Sequence, residues 1–147
     1  MEQRKIIFRS YDTVNKKMYG VITDIHWQIS GKVQGCKYMV SEIDDGVLRN
    51  GISPEKENFV LLQYTGLKDK KGREIYEGDI VIWEACSCEV RFGFHTVTVD
   101  DSGNKESSAY GFYLYFYGMK CDEPIDRNVE GNCEVIGNIY ENPELIK

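Results

Sequence analysis

The sequence predicts a mainly β protein, a small barrel or sandwich, and three observations carry that expectation. Apolar residues recur with a period of two, as in Val21, Thr23, Ile25, Trp27 and Ile29. Short apolar runs are separated by Gly, Asp, Asn and Pro, which punctuate strands rather than helices. Aromatic residues make up 12% of the 147 positions, with ten Tyr, six Phe, two Trp and only three Pro.

The elements follow in order. Ile6, Ile7 and Phe8 read as a first short strand, and residues 11–19 as strand, polar turn and strand. Residues 21–29 form a long half-buried strand, and residues 37–43 another that ends at Asp44, Asp45 and Gly46. Residues 49–57 combine turn formers, Pro54 and charge, so a boundary is placed there: an N-terminal β-rich part over 1–57 and a C-terminal domain over 58–147. Residues 59–64 are an apolar strand, and Asp69, Lys70, Lys71 and Gly72 a tight turn whose glycine needs positive φ. Residues 73–76 return, Glu77, Gly78 and Asp79 turn the chain again, and Ile80, Val81, Ile82 and Trp83 read as a buried strand. Residues 89–99 alternate, with Val90, Phe92 and Phe94 on one face. Residues 100–108 read as a polar loop, residues 110–117 as an aromatic strand, and residues 133–140 as the closing strand.

Charge is uneven and bounds the partners. Residues 1–57 carry 9 basic and 8 acidic side chains, and residues 58–147 carry 9 and 16. Phosphate backbones are repelled by such a C-terminal surface, which disfavours nucleic-acid binding there. The cations of a nucleic-acid alternative lie in the N-terminal part, at Lys5, Arg9, Lys16 and Lys17, diluted by Asp12. No apolar run approaches the ~18–20 residues of a membrane-spanning helix, and the start of the chain has no signal-peptide pattern.

The chemistry-bearing residues read mostly as architecture. The five cysteines, Cys36, Cys86, Cys88, Cys121 and Cys133, are odd in number and suggest free thiols rather than a disulfide framework. Cys86 and Cys88 share one strand face, as two zinc ligands would, but no C-x-x-C or H-x₃₋₅-H pair completes a four-coordinate site, and His95 could join only through the fold. His26 sits on the polar side of its strand. Glu74 and Glu77 flank a turn, where solvation and turn chemistry outweigh acid–base work. No phosphate-binding, dinucleotide, zinc-protease or nucleophile-elbow motif occurs. The expectation is no catalytic residue, no cofactor and no metal.

The aromatic strand is the feature that asks for a partner. Tyr110, Phe112, Leu114 and Phe116 lie on one face, suited to a core. Tyr113, Tyr115 and Tyr117 lie on the other, with Gly111 leaving a gap. That row is the candidate partner-binding surface, against another layer of the protein, a second copy or another protein.

Three blocks carry a family resemblance. Residues 63–81, with Gly66, Asp69, Gly72, Ile75, Gly78, Asp79, Ile80 and Val81, resemble the central signature of the YopX-like proteins of phages and prophages. Residues 8–12 with 17–19 are similar to that family's opening, and residues 135–145 to its ending; Ser10 and Tyr11 stand where many relatives have Ala and Trp. The resemblance implies a mainly β protein whose C-terminal part is an SH3-like β-barrel, and it implies no reaction; the expected location is the cytoplasm of a bacterial host. The expected function is therefore a non-enzymatic interaction or scaffold protein, forming a homo-oligomer or binding a host or phage protein.

Elemental analysis of the purified protein is expected to find no stoichiometric zinc. About one zinc per chain, lost on replacing Cys86 and Cys88 with serine, would contradict the reading of these thiols.

Overall fold

The computed structural model describes residues 6–30, 33–44, 47–52, 59–99, 105–119 and 122–146; within 21–59 and 98–106 only strand backbone is described. Among the described residues there are eleven strands: β1 (Phe8–Asp12), β2 (Lys17–Ser30), β3 (Val33–Asp44), β4 (Val47–Ile52), β5 (Phe59–Lys68), β6 (Glu74–Tyr76), β7 (Asp79–Trp83), β8 (Cys86–Val99), β9 (Lys105–Tyr115), β10 (Glu123–Pro124) and β11 (Glu134–Asn138). A short 3₁₀ turn, Pro143–Leu145, follows. The protein is mainly β, as its alternating pattern predicts. Among the described residues no helix is long and apolar enough to cross a membrane.

The chain divides into two compact units, residues 1–63 and 64–147. The boundary expected after residue 57 falls on positions outside the described residues, and the change of unit occurs within β5.

In the first unit β4, β3, β2 and β1 are neighbours in that order, and β1 also pairs with the first half of β5, from Phe8 opposite Gln63 to Asp12 opposite Phe59. Every pairing is antiparallel. The turn between β1 and β2 is built by Asp12, whose carboxylate accepts bonds from the amides of Val14 and Asn15, each at 2.9 Å, and from Asn15 Nδ2 at 2.7 Å. Those bonds hold Asp12 below the usual carboxylate range, the Asn15 amide contributing most. Lys16 completes the turn at φ 53°. Residues 49–52, expected in the connector, belong instead to β4: pairing with β3 from Asp44 opposite Val47 to Val40 opposite Ile52 overrides their turn-forming composition.

In the second unit β10, β9, β8, β7 and β11 form an antiparallel sheet in that order, and the second half of β5 pairs with β6. Its core is Ile75, Val81, Cys88, Val90, Leu114, Phe116, Val129 and Cys133, with Trp83, Phe112 and Val135 packed against it. Cys88 and Cys133 are fully buried, and burial pushes the Cys88 thiol up to about 12, so this sulfur is an inert core atom. Replacing Cys88 with serine therefore puts a hydroxyl into the core, and costs more than a surface exchange would.

Asp69 closes this unit. Its buried carboxylate accepts bonds from the amides of Lys71 (2.8 Å), Arg73 (2.9 Å) and Val135 (3.0 Å), and from Arg73 Nε (2.9 Å). The Val135 amide lies 66 residues along the chain, at β11. Beside it Lys70 N donates to Cys133 O at 3.0 Å. Burial pushes the Asp69 acid up, but the amides of Arg73, Val135 and Lys71 and the Arg73 side chain together outweigh it and hold it below the ordinary value. Gly72 closes the turn at φ 79°, where an added Cβ meets nothing within 4 Å, so a substitution there costs backbone strain alone. Gly137 serves differently: a Cβ on it would stand 2.6 Å from Asn142 Oδ1 and 2.9 Å from Leu145 Cδ1, so any larger residue there makes these side chains of the ending block shift.

Gly72→Val is expected to lower stability by about 1–3 kcal/mol in urea denaturation, and Gly72→Asn by less, because asparagine tolerates the left-handed region. Equal midpoints for both variants and the parent would contradict this. Asp69→Asn is expected to cost about 1.5–3 kcal/mol. Its folded-state acidity lies below the unfolded value, so its contribution is complete above that value and is lost as pH falls through the folded one. The variant's stability is therefore expected to fall less steeply with acid than the parent's, and identical slopes would contradict the assignment.

Candidate functional site

The β8–β9 hairpin outruns the sheet that supports it. Its ladder extends from Glu89 opposite Tyr115 to Val99 opposite Lys105. β7 pairs with β8 only from Cys86 to Glu89, and β10 pairs with β9 only at Tyr113 and Leu114. Among the described residues, 91–99 and 105–112 therefore continue as a two-stranded arm. Residues 105–108, expected in the polar loop, belong to it.

One face of the hairpin runs through the cross-strand pairs Val90 and Leu114, Phe92 and Phe112, Phe94 and Tyr110. The first pair is fully buried, whereas Phe92 is 41%, Tyr110 62% and Phe94 79% exposed. The rings pack on one another, Phe92 to Phe112 at 4.8 Å, Phe92 to Tyr110 at 5.1 Å and Phe94 to Tyr110 at 4.8 Å between centroids. Sequence reading put Val90, Phe92 and Phe94 on one face of their strand, and gave only the face with Tyr110, Phe112, Leu114 and Phe116 to the core. The core ends at Phe112: among the described residues no further strand pairs with the arm beyond Glu89 and Tyr113, although the Asp122 amide donates to Thr96 O at 2.9 Å.

The opposite face carries Glu89, Arg91, Gly93 and His95 across from Tyr115, Tyr113, Gly111 and Ala109. The candidate tyrosines lie here: Tyr113 is buried, Tyr115 half-buried and Tyr117 exposed. Arg91 lies over the Tyr115 ring at 3.7 Å and donates to Glu89 at 2.7 Å; the Tyr117 hydroxyl donates to the same carboxylate oxygen at 2.5 Å. Tyr113 stacks on His95 at 4.6 Å, their planes 19° apart. Burial first, and then the Glu89 carboxylate, raise the Tyr117 phenol above its ordinary value, and the bond to Glu89 raises Arg91 further still. Glu89 is itself buried, so this is a charge pair fixed by two hydroxyl- and guanidinium-borne bonds. His95 is 5% exposed; its Nδ1 meets Gly93 O at 3.3 Å, and among the described residues its Nε2 has no hydrogen-bond partner.

The other residues singled out by sequence lie at separate places among the described residues. His95 stands seven residues along β8 from Cys88, about 23 Å in an extended strand. Among the described residues no three His, Cys, Asp or Glu side chains gather around a metal position. Glu74 accepts the Tyr76 hydroxyl at 2.6 Å. The basic run of the signature is committed: Glu134 pairs with Lys70 at 2.8 Å, with Lys71 and, more distantly, with Arg73, and the hydrogen bonds from Lys70 and Lys71 pull its acid down to about 2. Lys16 and Lys17 are exposed, and Lys17 Nζ stands 5.1 Å from the Tyr19 ring centroid. Lys5, Cys36, Cys121 and the side chain of His26 lie outside the described residues.

The sequence pattern of the YopX proteins matches residues 7–147. The chain is similar to protein EF1440 from Enterococcus faecalis, known from its crystal structure, with 26% identity, a TM-score of 0.54, and coverage of 99% of this chain and 100% of that one. It is also similar to protein yopX from Bacillus subtilis, with 18% identity, a TM-score of 0.43, and coverage of 96% and 98%. No curated protein matches the sequence.

Glu89→Ala is expected to cost about 2 kcal/mol, below the 3–5 kcal/mol of a fully buried pair because the Arg91 side chain is 35% exposed. Tyr117→Phe removes one hydrogen bond and is expected to cost about 1 kcal/mol. Urea denaturation checks both, and a Tyr117→Phe loss exceeding that of Glu89→Ala would contradict the central place given to the carboxylate.

Proposed function

This chain belongs to the YopX protein family, and from that premise we propose that it is a non-enzymatic interaction protein, encoded by phage or prophage and working in the bacterial cytoplasm. The observation that carries the proposal is the exposed end of the β8–β9 arm, where Phe92, Phe94 and Tyr110 stand beyond the core. Exposed aromatic rings clustered on one rigid ribbon are what a protein partner buries. The charged groups of the signature support the same reading, since Asp69, Arg73, Lys70, Lys71 and Glu134 bind one another and hold the turn. On this reading the C-terminal part is an SH3-like barrel that serves as the base of the arm, and its partner is a second copy or a host or phage protein.

A nucleic-acid-associated role through Arg9, Lys16 and Lys17 is the second reading, favoured by the exposure of Lys16 and Lys17. A salt titration separates the two. Phosphate contacts make binding of DNA or RNA fall steeply with salt, and the interaction reading expects no such binding at moderate ionic strength.

Affinity capture from lysogenic host cells, with the parent and the double variant Phe94→Glu, Tyr110→Glu as baits, tests the proposal itself. The parent is expected to retain a protein, another copy of the chain included, that the folded variant does not. Identical captures by both baits would overturn the arm as the interaction element.

A further inference from the structure

We infer that the outer half of the β8–β9 hairpin is a pH-sensitive clasp, closed over the Gly93–Gly111 pair while His95 is neutral and opened when its imidazole takes up a proton, whatever the arm binds. The hairpin is curved. Glu123 stands opposite Leu114 and Leu114 opposite Val90, yet the amide of Asp122, the residue before Glu123, donates to Thr96 O at 2.9 Å. Thr96 lies six residues along β8 from Val90, about 20 Å in a straight strand, and β9 stands between β8 and β10. Only a ladder that bends back brings the two together.

The bend has an identifiable place. Gly93 and Gly111 are opposite each other, Gly93 at φ 150°, and neither puts a side chain on the inner face. Across that gap the His95 ring stacks on Tyr113 at 4.6 Å. Tyr113 is paired with Arg91, four residues before His95 and about 13 Å away in a straight strand. The ring stack and the Asp122–Thr96 bond hold the clasp shut.

The closed form has no place for a second proton on His95. The ring is buried, and Gly93 O, which can only accept, keeps the proton on Nδ1. Nε2 is then a buried lone pair with no hydrogen-bond partner among the described residues. Protonation turns it into a buried N–H and a charge with nothing to receive either. The surrounding groups do not answer. On β8, Glu89 is taken by Arg91 and by the Tyr117 hydroxyl, and the Arg91 cation repels a second one. β9 offers the phenols of Tyr113 and Tyr115, and the segment before β10 the Asp122 carboxylate, which does not bond Nε2. A free imidazole protonates at about pH 6.5, so closure is complete above that value and opening becomes about tenfold easier for each pH unit below it.

Amide hydrogen exchange between about pH 8 and about pH 5, corrected for the intrinsic rate, decides it. The Lys71 amide is the reference in the same molecule, because Asp69, which holds it, stays ionised throughout. The parent's Asp122 amide is expected to lose about tenfold in protection per pH unit below about pH 6.5, while Lys71 keeps its own. His95→Phe, which keeps a ring against Tyr113 and cannot titrate, is expected to hold the Asp122 amide equally at every pH. The same flat profile is expected of His95→Gln, so the result does not depend on how phenylalanine packs. Asp122 protection in the parent that is flat, or that rises in acid through a His95–Asp122 ion pair, overturns the inference. So does a loss that Lys71 shares, which is global unfolding, or one that both His95 variants also show.

Discussion

The Asp69 carboxylate is the constraint on which the second unit depends. It lies in the turn after β5, receives two turn amides and the Arg73 side chain, and reaches across to the Val135 amide on β11. A buried carboxylate is costly unless donors surround it, and here the donors come from both the beginning and the end of the unit. Only the closed fold supplies all of them. The carboxylate thus converts a local turn into long-range closure, and Glu134 repeats the device at the surface by gathering Lys70, Lys71 and Arg73. That accounts for the charge of the signature, whose Asp69, Lys70, Lys71 and Arg73 bind one another and Glu134.

Closure at one end leaves the other end of the sheet free to extend. β8 and β9 are held at their base by β7, β10 and the core around Val90 and Leu114, then run on with no further strand among the described residues. The two faces of that extension differ in how far they satisfy themselves. On one, Glu89 draws Arg91 and Tyr117 together, Arg91 covers Tyr115, and His95 covers Tyr113. On the other, Phe94 and Tyr110 pack on each other and on Phe92, with most of their surface left to solvent. The first face ties its charged and phenolic groups to one another, and the second carries the aromatic surface on which the proposed interaction rests.

Much of this was legible in the sequence. Period-two alternation identified the long strands, and Asp69, Gly72, Gly78 and Asp79 were readable as turn devices because their chemistry is local: Gly72 does take positive φ, and Asp79 does accept the Tyr76 amide, at 2.8 Å. The Val135 partner of Asp69 was not readable, because 66 residues separate them and only folding brings them together. The same limit explains the arm. Alternation assigns Val90, Phe92 and Phe94 to one face, but says nothing about where along that face the neighbouring strand stops. The length mismatch between β7, at five residues, and β8, at fourteen, contains that information. The side chains that meet the tyrosine row, Glu89, Arg91 and His95, were likewise not readable, because they sit on the other strand of the hairpin.

Amide hydrogen exchange tests the central claim most directly, because it reads the closing turn and the arm in one measurement. The account predicts that the Lys71, Arg73 and Val135 amides exchange as slowly as the most protected core amides. It predicts faster exchange for the amides of residues 92–97 and 108–111, which pair only with each other beyond the base of the hairpin. Fast exchange at the Asp69-bound amides, or an arm as protected as the core, would contradict it.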